Sequence, residues 1–296
     1  MPQDLRDLSQ SVHPLMAILS GNWLLLNSSQ VRVTSFYPVM AQITNTLLGN
    51  YWKNIDSLVL SHVLDEADLF VPTTVNNDAD FTAFISAAFP AYANSIITDI
   101  QARYPPVMSP NSNYTTERAR LKALIGDSSF QCNVRYLSDA YAGKSYNLQY
   151  SVTPGLHATD LLPTFYDLNL DLNVFGGEVS YPLLPGFGSF AQGYQSYLVS
   201  HARTGDPNTY KKTFNIPIAI QWPKPDLSGD AINNILDAND FGFKITQDGE
   251  TRKSVCGFWE DVAAGVTELG GYAPPGSVVT SSLVGTPGNP SANYTD

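Results

Sequence analysis

The chain has few charged residues, and those it has are mostly acidic, which excludes two classes of partner. Charged residues make up 15% of the 296 positions, and the formal net charge is −11. Nucleic-acid phosphates require a basic protein surface, so we exclude nucleic acid as a partner. The same negative charge disfavours electrostatic docking to anionic membranes.

Patterns typical of metal sites, membrane spans and secretory leaders are also missing. The two cysteines, Cys132 and Cys256, and the four histidines include no pair at zinc-ligand spacing, and we expect no metal or other cofactor. The apolar run at residues 23–26 is far shorter than a membrane span. Residues 1–6 lack the basic start of a secretory signal, and no apolar run of the required length follows.

Two strand-like runs are present, and each ends in a polar turn. Residues 58–63 predict a buried parallel strand, and an acidic turn containing Glu66 follows it. Residues 146–152 predict a second strand, followed by a Pro-Gly turn and His157. Because the carboxyl ends of parallel strands converge on one edge of a sheet, we expect Glu66 and His157 to meet there.

Helical patterns surround these strands and predict an α/β fold. Apolar residues recur at helical spacing in four regions, and one further short run predicts a late strand. The predicted helices are residues 79–103 (broken near Pro90), 116–141 (split at 126–128), 189–204 and 253–268, and the late strand is residues 241–245. Residues 161–188, rich in Pro and Gly, predict mainly loop.

Four short motifs carry a resemblance to a known family. Residues 65–70 read Asp-Glu-Ala-Asp-Leu-Phe, and residues 155–160 read Gly-Leu-His-Ala-Thr-Asp. Residues 202–208 read Ala-Arg-Thr-Gly-Asp-Pro-Asn, and residues 256–259 read Cys-Gly-Phe-Trp. In this order they resemble the Asp-Glu-Gly-x-x-Phe, His-x-x-Glu/Asp, Ala-x-Thr-Gly-Asp-Pro-Asn and Cys-x-Phe-Trp motifs of type-B carboxylesterases, the family that also holds fungal lipases and cholinesterases.

The resemblance implies a partial α/β-hydrolase fold, the C-terminal part, with a few parallel strands and many helices. It places the family-like domain at residues 36–272, after an unassigned N-terminal segment at 1–35 and before a disordered tail at 273–296. Such sheets are covered on both faces, so we expect exposed apolar surface where that cover is absent, and a partner or N-terminal half that shields it.

The resemblance also implies ester hydrolysis without a cofactor, with Glu66 as the orienting acid and His157 as the general base. The substrate would be a small-molecule or lipid ester. The nucleophile is the missing part, because no serine lies in Gly-x-Ser-x-Gly and no histidine precedes a Gly-Gly pair. We therefore expect a truncated, mis-split or diverged family member that is inactive unless a serine-bearing half complements it.

The residues alone and the resemblance give different predictions for features that bear on secretion. From the residues alone, the two cysteines predict free buried thiols, whereas the resemblance implies a Cys132–Cys256 disulfide. Three glycosylation sequons begin at Asn27, Asn113 and Asn293. Together with the resemblance, they favour a secreted glycoprotein, although no leader is recognisable in the sequence.

Two other interpretations remain open. A non-catalytic binding protein, like the adhesion members of the cholinesterase-like family, has no chemical need for both Glu66 and His157. An enzyme with an unusual nucleophile such as Ser128 is the third interpretation. His62 lies within a predicted strand, so we expect it to be packed or hydrogen-bonded, and Asp65 is expected to be a turn residue.

Overall fold

The computed structural model describes residues 55–88, 94–167 and 185–268. These fall into two compact units that alternate along the chain. The sheet unit comprises Asn54–Leu69 and Tyr141–Gly249, and the helical unit comprises Phe70–Ala140 and the described residues 250–268. The predicted segment at 1–35 and the predicted tail at 273–296 lie outside the described residues, so these boundaries stay predictions.

Four strands and eight α-helices make up the described regular structure, together with short 3-10 and π segments. The strands are β1 (Leu58–Val63), β2 (Ser145–Tyr150), β3 (Ile232–Asn239) and β4 (Gly242–Asp248). The helices are α1 (Asp78–Ala88), α2 (Asn94–Arg103), α3 (Glu117–Gly126), α4 (Cys132–Ala140), α5 (Leu161–Thr164), α6 (Phe187–Thr204), α7 (Thr209–Phe214) and α8 (Lys253–Glu268). No helix among the described residues is both long and apolar enough to span a bilayer.

The sheet has the order β1-β2-β3-β4. β1 pairs with β2 in parallel from Leu58–Ser145 to Val63–Tyr150, as the sequence predicts, and β2 pairs with β3 in parallel. β4 runs antiparallel to β3. The structure is thus a partial α/β sheet, mostly parallel, with its parallel strands ending at one edge.

The core of the sheet unit explains why β2 lies inside the sheet. Every residue of β2 is buried, as expected for a parallel strand covered on both faces. Helix α6 packs aromatic rings against it, with the Tyr150 ring 6.4 Å from that of Phe190 and 6.1 Å from that of Tyr194. This packing holds β2, and therefore the start of the following turn, in place.

The helical unit contains a disulfide between Cys132 of α4 and Cys256 of α8, whose Cα atoms are 5.1 Å apart. The residues alone predicted free thiols, so that interpretation is wrong and the pairing implied by the resemblance is the one present. The predicted split at residues 126–128 is not a break either. A π-helical segment, Asp127–Gln131, leads directly from α3 into α4.

The sequence patterns missed three elements, β3, α5 and α7, and shortened another. β3 reads Ile-Asn-Asn-Ile-Leu-Asp-Ala-Asn, and asparagine and aspartate are disfavoured in strands. The strand also has a register shift at Ile232–Ile235, where Asn234 adopts φ +60°. No sequence pattern predicted helix α7, and β4 runs beyond the predicted 241–245. Helices α5 and the start of α6 lie within the predicted loop at 161–188.

Candidate functional site

Hydrogen bonds that continue past the strand ends bring the two predicted site residues together. The Leu64 amide donates to the Tyr150 carbonyl over 2.9 Å, and the Asp65 amide donates to the Gly155 carbonyl over 2.8 Å. An isolated parallel bridge then joins Asp65 to Leu156. Because each of these bridged residues immediately precedes a site residue, the two turns leave the sheet side by side.

The turn after β2 depends on a glycine. Gly155 has φ +63°, a conformation that residues with a Cβ adopt only with strain. Its amide donates to the Val152 carbonyl over 2.7 Å, which closes the turn. A Cβ at this position would also lie 3.4 Å from the Leu64 Cβ. Gly155 therefore permits the close approach of the two turns.

Glu66 and His157 form a direct side-chain contact. The His157 Nδ1 lies 2.5 Å from the Glu66 Oε2, and the second carboxylate oxygen, Oε1, accepts the Val63 amide over 2.9 Å. A carboxylate only accepts, so Nδ1 carries the proton and the neutral ring has its lone pair on Nε2. That tautomer is the one a general base requires.

Exposure and charge make His157 suited to proton transfer. Its side chain is 23% exposed and that of Glu66 is 10% exposed. Burial lowers the pKa of His157, but the hydrogen bond and charge of Glu66, together with the charge of Asp160, raise it above 6.5 overall. The imidazolium formed after proton uptake is therefore stabilised by these two carboxylates.

Asp160 was not singled out as a site residue from the sequence, although it ends the quoted motif at residues 155–160. Burial, followed by the charge of Glu66, raises the pKa of Asp160 to about 6. The opposite charge of His157 acts to lower this pKa, so the three groups influence each other. The signal available in the sequence was the position of Asp160 three residues after His157.

The remaining histidine and serine candidates lie elsewhere. His62, expected to be packed or hydrogen-bonded, is buried in β1 and contacts Asp248. His201 of α6 has its Nε2 2.9 Å from the Ser57 Oγ. Ser128 lies in the π-helical segment, 3.4 Å from the Ser129 hydroxyl.

Other expectations concern loops, core and surface. Asp206 closes a turn after α6 by accepting the Asn208 amide over 2.9 Å. The aromatic side chains of Tyr194, Tyr197 and Trp259 are buried. Asn113 is exposed, whereas Asn27 and Asn293 lie outside the described residues.

Two further features define the surroundings of the site. Several large apolar side chains of the sheet unit are exposed beside the site residues in sequence, namely Leu64, Leu69, Leu161 and Phe165. Across the described ranges, no group of three or more His, Cys, Asp or Glu side chains is arranged to hold a metal ion. The chemistry that these residues can perform is proton transfer between the carboxylate–imidazole pair and a bound group.

Comparisons with known proteins give a consistent set of relatives. No family model matches the chain. A "Secreted lipase" of Arthroderma benhamiae is 36% identical over 228 residues, which cover 76% of this chain and 41% of that protein. "Carboxylesterase patB" of Penicillium expansum is 26% identical over 207 residues, covering 69% and 33%. "Lipase 5" of Diutina rugosa is 26% identical over 195 residues, covering 62% and 32%.

The chain thus spans about two fifths or less of the length of these relatives. Among solved structures, the Aspergillus niger protein EstA superposes with a TM-score of 0.57 at 18% identity. The superposition covers 74% of this chain and 42% of EstA. At this level of identity the similarity establishes the fold, which is a partial α/β-hydrolase fold.

Proposed function

We propose, from the premise that the chain is a member of the fungal lipase- and carboxylesterase-like family, that Glu66 and His157 are the acid and base of a serine esterase. The supporting observation is the contact between His157 Nδ1 and Glu66 Oε2 at the carboxyl-terminal edge of two paired parallel strands. That edge is where open α/β sheets place their active sites.

The proposed reaction is the hydrolysis of a carboxylic ester. His157 Nε2 takes the proton of a serine hydroxyl as the serine oxygen attacks the ester carbonyl, and it then gives this proton to the departing alcohol. Water repeats the cycle on the acyl-enzyme and releases the acid. Glu66 holds the ring in the required tautomer and stabilises the imidazolium, and the reaction uses only side chains and water.

The nucleophile is proposed to come from a separate serine-bearing segment. No serine among the 296 residues lies in a Gly-x-Ser-x-Gly motif, so this chain would contribute the acid and the base and be inactive alone. The exposed side chains of Leu64, Leu69, Leu161 and Phe165, which are close to Glu66 or His157 in sequence, support the idea of a covering partner. We propose that the serine-bearing segment covers them.

The first experiment measures the purified chain alone. Wild-type protein is incubated with p-nitrophenyl butyrate and with a fluorophosphonate probe, and labelled peptides are identified by mass spectrometry. We expect neither turnover nor a labelled serine. A single labelled serine whose labelling disappears in His157→Ala, but persists in His201→Ala, would contradict the proposal that the chain lacks its nucleophile.

The second experiment supplies the missing part. The chain is coexpressed with a segment of the Arthroderma benhamiae relative chosen to contain Gly-x-Ser-x-Gly, and ester hydrolysis is measured on the purified complex. Activity should require both polypeptides and should fall by about a thousandfold or more in His157→Ala. Asp65→Asn is the matched control for Glu66→Gln, because Asp65 is the neighbouring acid of the same turn. Complemented activity that survives His157→Ala would remove His157 from the mechanism.

We also propose that the protein is extracellular and glycosylated, as the "Secreted lipase" name of one relative and the exposed sequon at Asn113 suggest. Protein secreted from a fungal host should lose mass on treatment with peptide-N-glycosidase. Asn113→Gln should remove one glycan from that mass difference. An unchanged mass in both proteins would contradict glycosylation at this position.

A further inference from the structure

A second carboxylate–imidazole pair lies inside the sheet unit. The His62 Nε2 is 2.8 Å from the Asp248 Oδ2, and the two side chains are only 3% and 1% exposed. His62 belongs to β1 and Asp248 is the last residue of β4, so the contact joins the outer strands of the described sheet. Solvent cannot stabilise a charge at this depth, so the protonation of the His62 ring depends on the groups that contact it.

The other ring nitrogen of His62 contacts the backbone. Its Nδ1 lies 3.1 Å from the Val63 carbonyl oxygen. A carbonyl oxygen can only accept, so Nδ1 must carry a proton for this contact to be favourable. A carboxylate also only accepts, so Nε2 carries a proton as well when Asp248 is ionised. Both contacts are then satisfied by an imidazolium paired with an aspartate.

The backbone of Val63 connects this pair to the candidate site. The Val63 carbonyl receives His62 Nδ1–H, and the Val63 amide donates to Glu66 Oε1 over 2.9 Å. The other oxygen of Glu66 accepts His157 Nδ1–H. The sequence of contacts therefore runs from Asp248 through His62 and the Val63 backbone to Glu66 and His157.

We propose that His62 and Asp248 are positioning residues that fix the Val63 backbone so that its amide holds the Glu66 carboxylate against His157. The inference deepens the proposed function and rests on it for the chemical role of His157. The imidazolium of His62 acts through the backbone and contacts neither substrate nor reacting atoms. Because the His62–Asp248 pair is excluded from solvent, its hold on the Val63 backbone stays the same while the Glu66–His157 pair exchanges protons.

Two charged residues of the sheet in register with His62 are paired with each other. Across the sheet, His62 is opposite Gln149, which is opposite Asp237, which in turn is opposite Lys244. The Lys244 ammonium lies 3.2 Å from the Asp237 Oδ2, so this carboxylate has a cation of its own. On the turn that follows β1, the charged groups are Asp65 and Glu66. Asp248 is the carboxylate bonded directly to the ring.

The first test needs no variant. Nitrogen-15 spectra of the histidine rings in the wild-type protein report the protonation of each ring nitrogen. We expect both nitrogens of His62 to be protonated at pH 7.5, when an ordinary exposed histidine is mostly neutral. A His62 ring with one unprotonated nitrogen at that pH would overturn the ion-pair assignment.

The second test asks whether the pair positions Glu66. Asp248→Asn keeps the shape but removes the charge, and we expect the measured pKa of His157 to fall by about one unit as the Glu66 contact loosens. Asp237→Asn is the matched control, since it neutralises a buried carboxylate of β3 that is not bonded to His62. An unchanged His157 pKa in a folded Asp248→Asn protein would overturn the inference.

A second variant covers the case in which Asp248→Asn fails to fold. His62→Gln retains a donor toward Asp248 but cannot bond both partners, so the His157 pKa should again fall. Both readouts concern ring protonation without substrate, which separates this inference from the proposed function. If Glu66→Gln lowers the His157 pKa but His62→Gln and Asp248→Asn do not, only the positioning role fails. If these pKa values fall as expected but the complemented protein hydrolyses no ester, the proposed function fails instead.

Discussion

Two carboxylate–imidazole pairs occupy the same unit of this protein, yet their surroundings give them different capacities. The His157–Glu66 pair lies on turns beyond the strand ends, with the His157 side chain 23% exposed. The His62–Asp248 pair lies within and between strands, with both side chains at most 3% exposed. Only the first can exchange a proton with a bound molecule, whereas the second can stabilise structure.

The difference follows from position relative to the end of β1. His62 is inside the strand, so its side chain is enclosed by the sheet and its covering layers. Glu66 comes after the strand, where the chain turns at the edge of the sheet. The comparison shows that residue type alone does not set the exposure of such a pair, whereas position relative to the strand end does.

The largest expected effect comes from removing one partner of the buried pair. Asp248→Ala should lower the free energy of unfolding by about 3–5 kcal/mol, because it removes the carboxylate that is bonded to the buried His62 ring. Glu66→Gln should cost less, about 1–3 kcal/mol, because the outer pair is partly solvated and Gln retains an acceptor. Urea denaturation of the two variants measures the difference. Equal losses of unfolding free energy in the two variants would contradict the expectation that the more deeply buried pair contributes more to stability.

A glycine substitution tests whether the outer pair depends on its turns. Gly155→Ala should cost about 1–2 kcal/mol, because φ +63° strains a residue with a Cβ, and it should separate the turns that carry Glu66 and His157. Gly143→Ala is the matched control: its φ is +79°, but a Cβ there would meet nothing within 4 Å.

Histidine NMR distinguishes these two glycine variants. Both should lose stability through backbone strain, but only Gly155→Ala should shift the His157 ring signals. The His62 signals should stay the same in both. A His157 signal that is unchanged in Gly155→Ala would show that the pair forms without the close approach of the turns.

A third carboxyl, in the helical unit, sharpens the comparison because its hydrogen-bond partner is a neutral phenol. The Tyr104 hydroxyl donates to the Asp127 Oδ2 over 2.7 Å. Burial raises the pKa of Asp127 to about 7, although the Tyr104 hydrogen bond and the charges of Arg103 and Arg252 act to lower it. Burial thus lets this carboxyl keep its proton up to a pH of about 7, and its bonded partner is neutral, unlike the histidine partners of Glu66 and Asp248.

The sign of the resulting pH dependence is opposite to that of a salt-bridged carboxylate. Between the unfolded pKa near 3.8 and the folded pKa of about 7, the folded protein holds a proton that the unfolded chain has lost. This contribution to stability is therefore present below about pH 4 and is lost as the pH rises to about 7. Asp127→Asn should remove it, and urea denaturation from pH 4 to pH 8 measures the change. A contribution that grows with pH would contradict the assignment.

The sequence predicted those parts of the fold whose local pattern agrees with their environment. β1 and β2 combine β-favouring residues with buried positions, and α8 shows apolar residues at helical spacing, so their existence and type were predictable. β3 was not, because its asparagines disfavour a strand, and it is stabilised by pairing with β2 and β4 and by the burial of its apolar side chains. The π-helical Asp127–Gln131 segment gave no recognisable pattern of its own.

The contacts of the two histidines were likewise predictable only in part. Glu66 and His157 could be predicted, since each follows a recognisable strand and parallel strands bring such residues to one edge. The partner of His62 could not, because Asp248 is 186 residues away and its strand is antiparallel to β3. Long-range contacts between outer strands depend on the whole sheet, and no local spacing encodes them.

The most direct test of the central claim, that Glu66 and His157 act as one acid–base pair, is the titration of the His157 ring by NMR in wild type, Glu66→Gln and Asp65→Asn. The hydrogen bond and charge of Glu66, together with the charge of Asp160, outweigh burial, so the wild-type pKa should lie above 6.5. The His157 pKa should fall below 6.5 in Glu66→Gln, because burial then acts without its compensating carboxylate. It should stay near the wild-type value in Asp65→Asn. A His157 pKa that is the same in wild type and Glu66→Gln would contradict the pairing on which the proposed esterase chemistry depends.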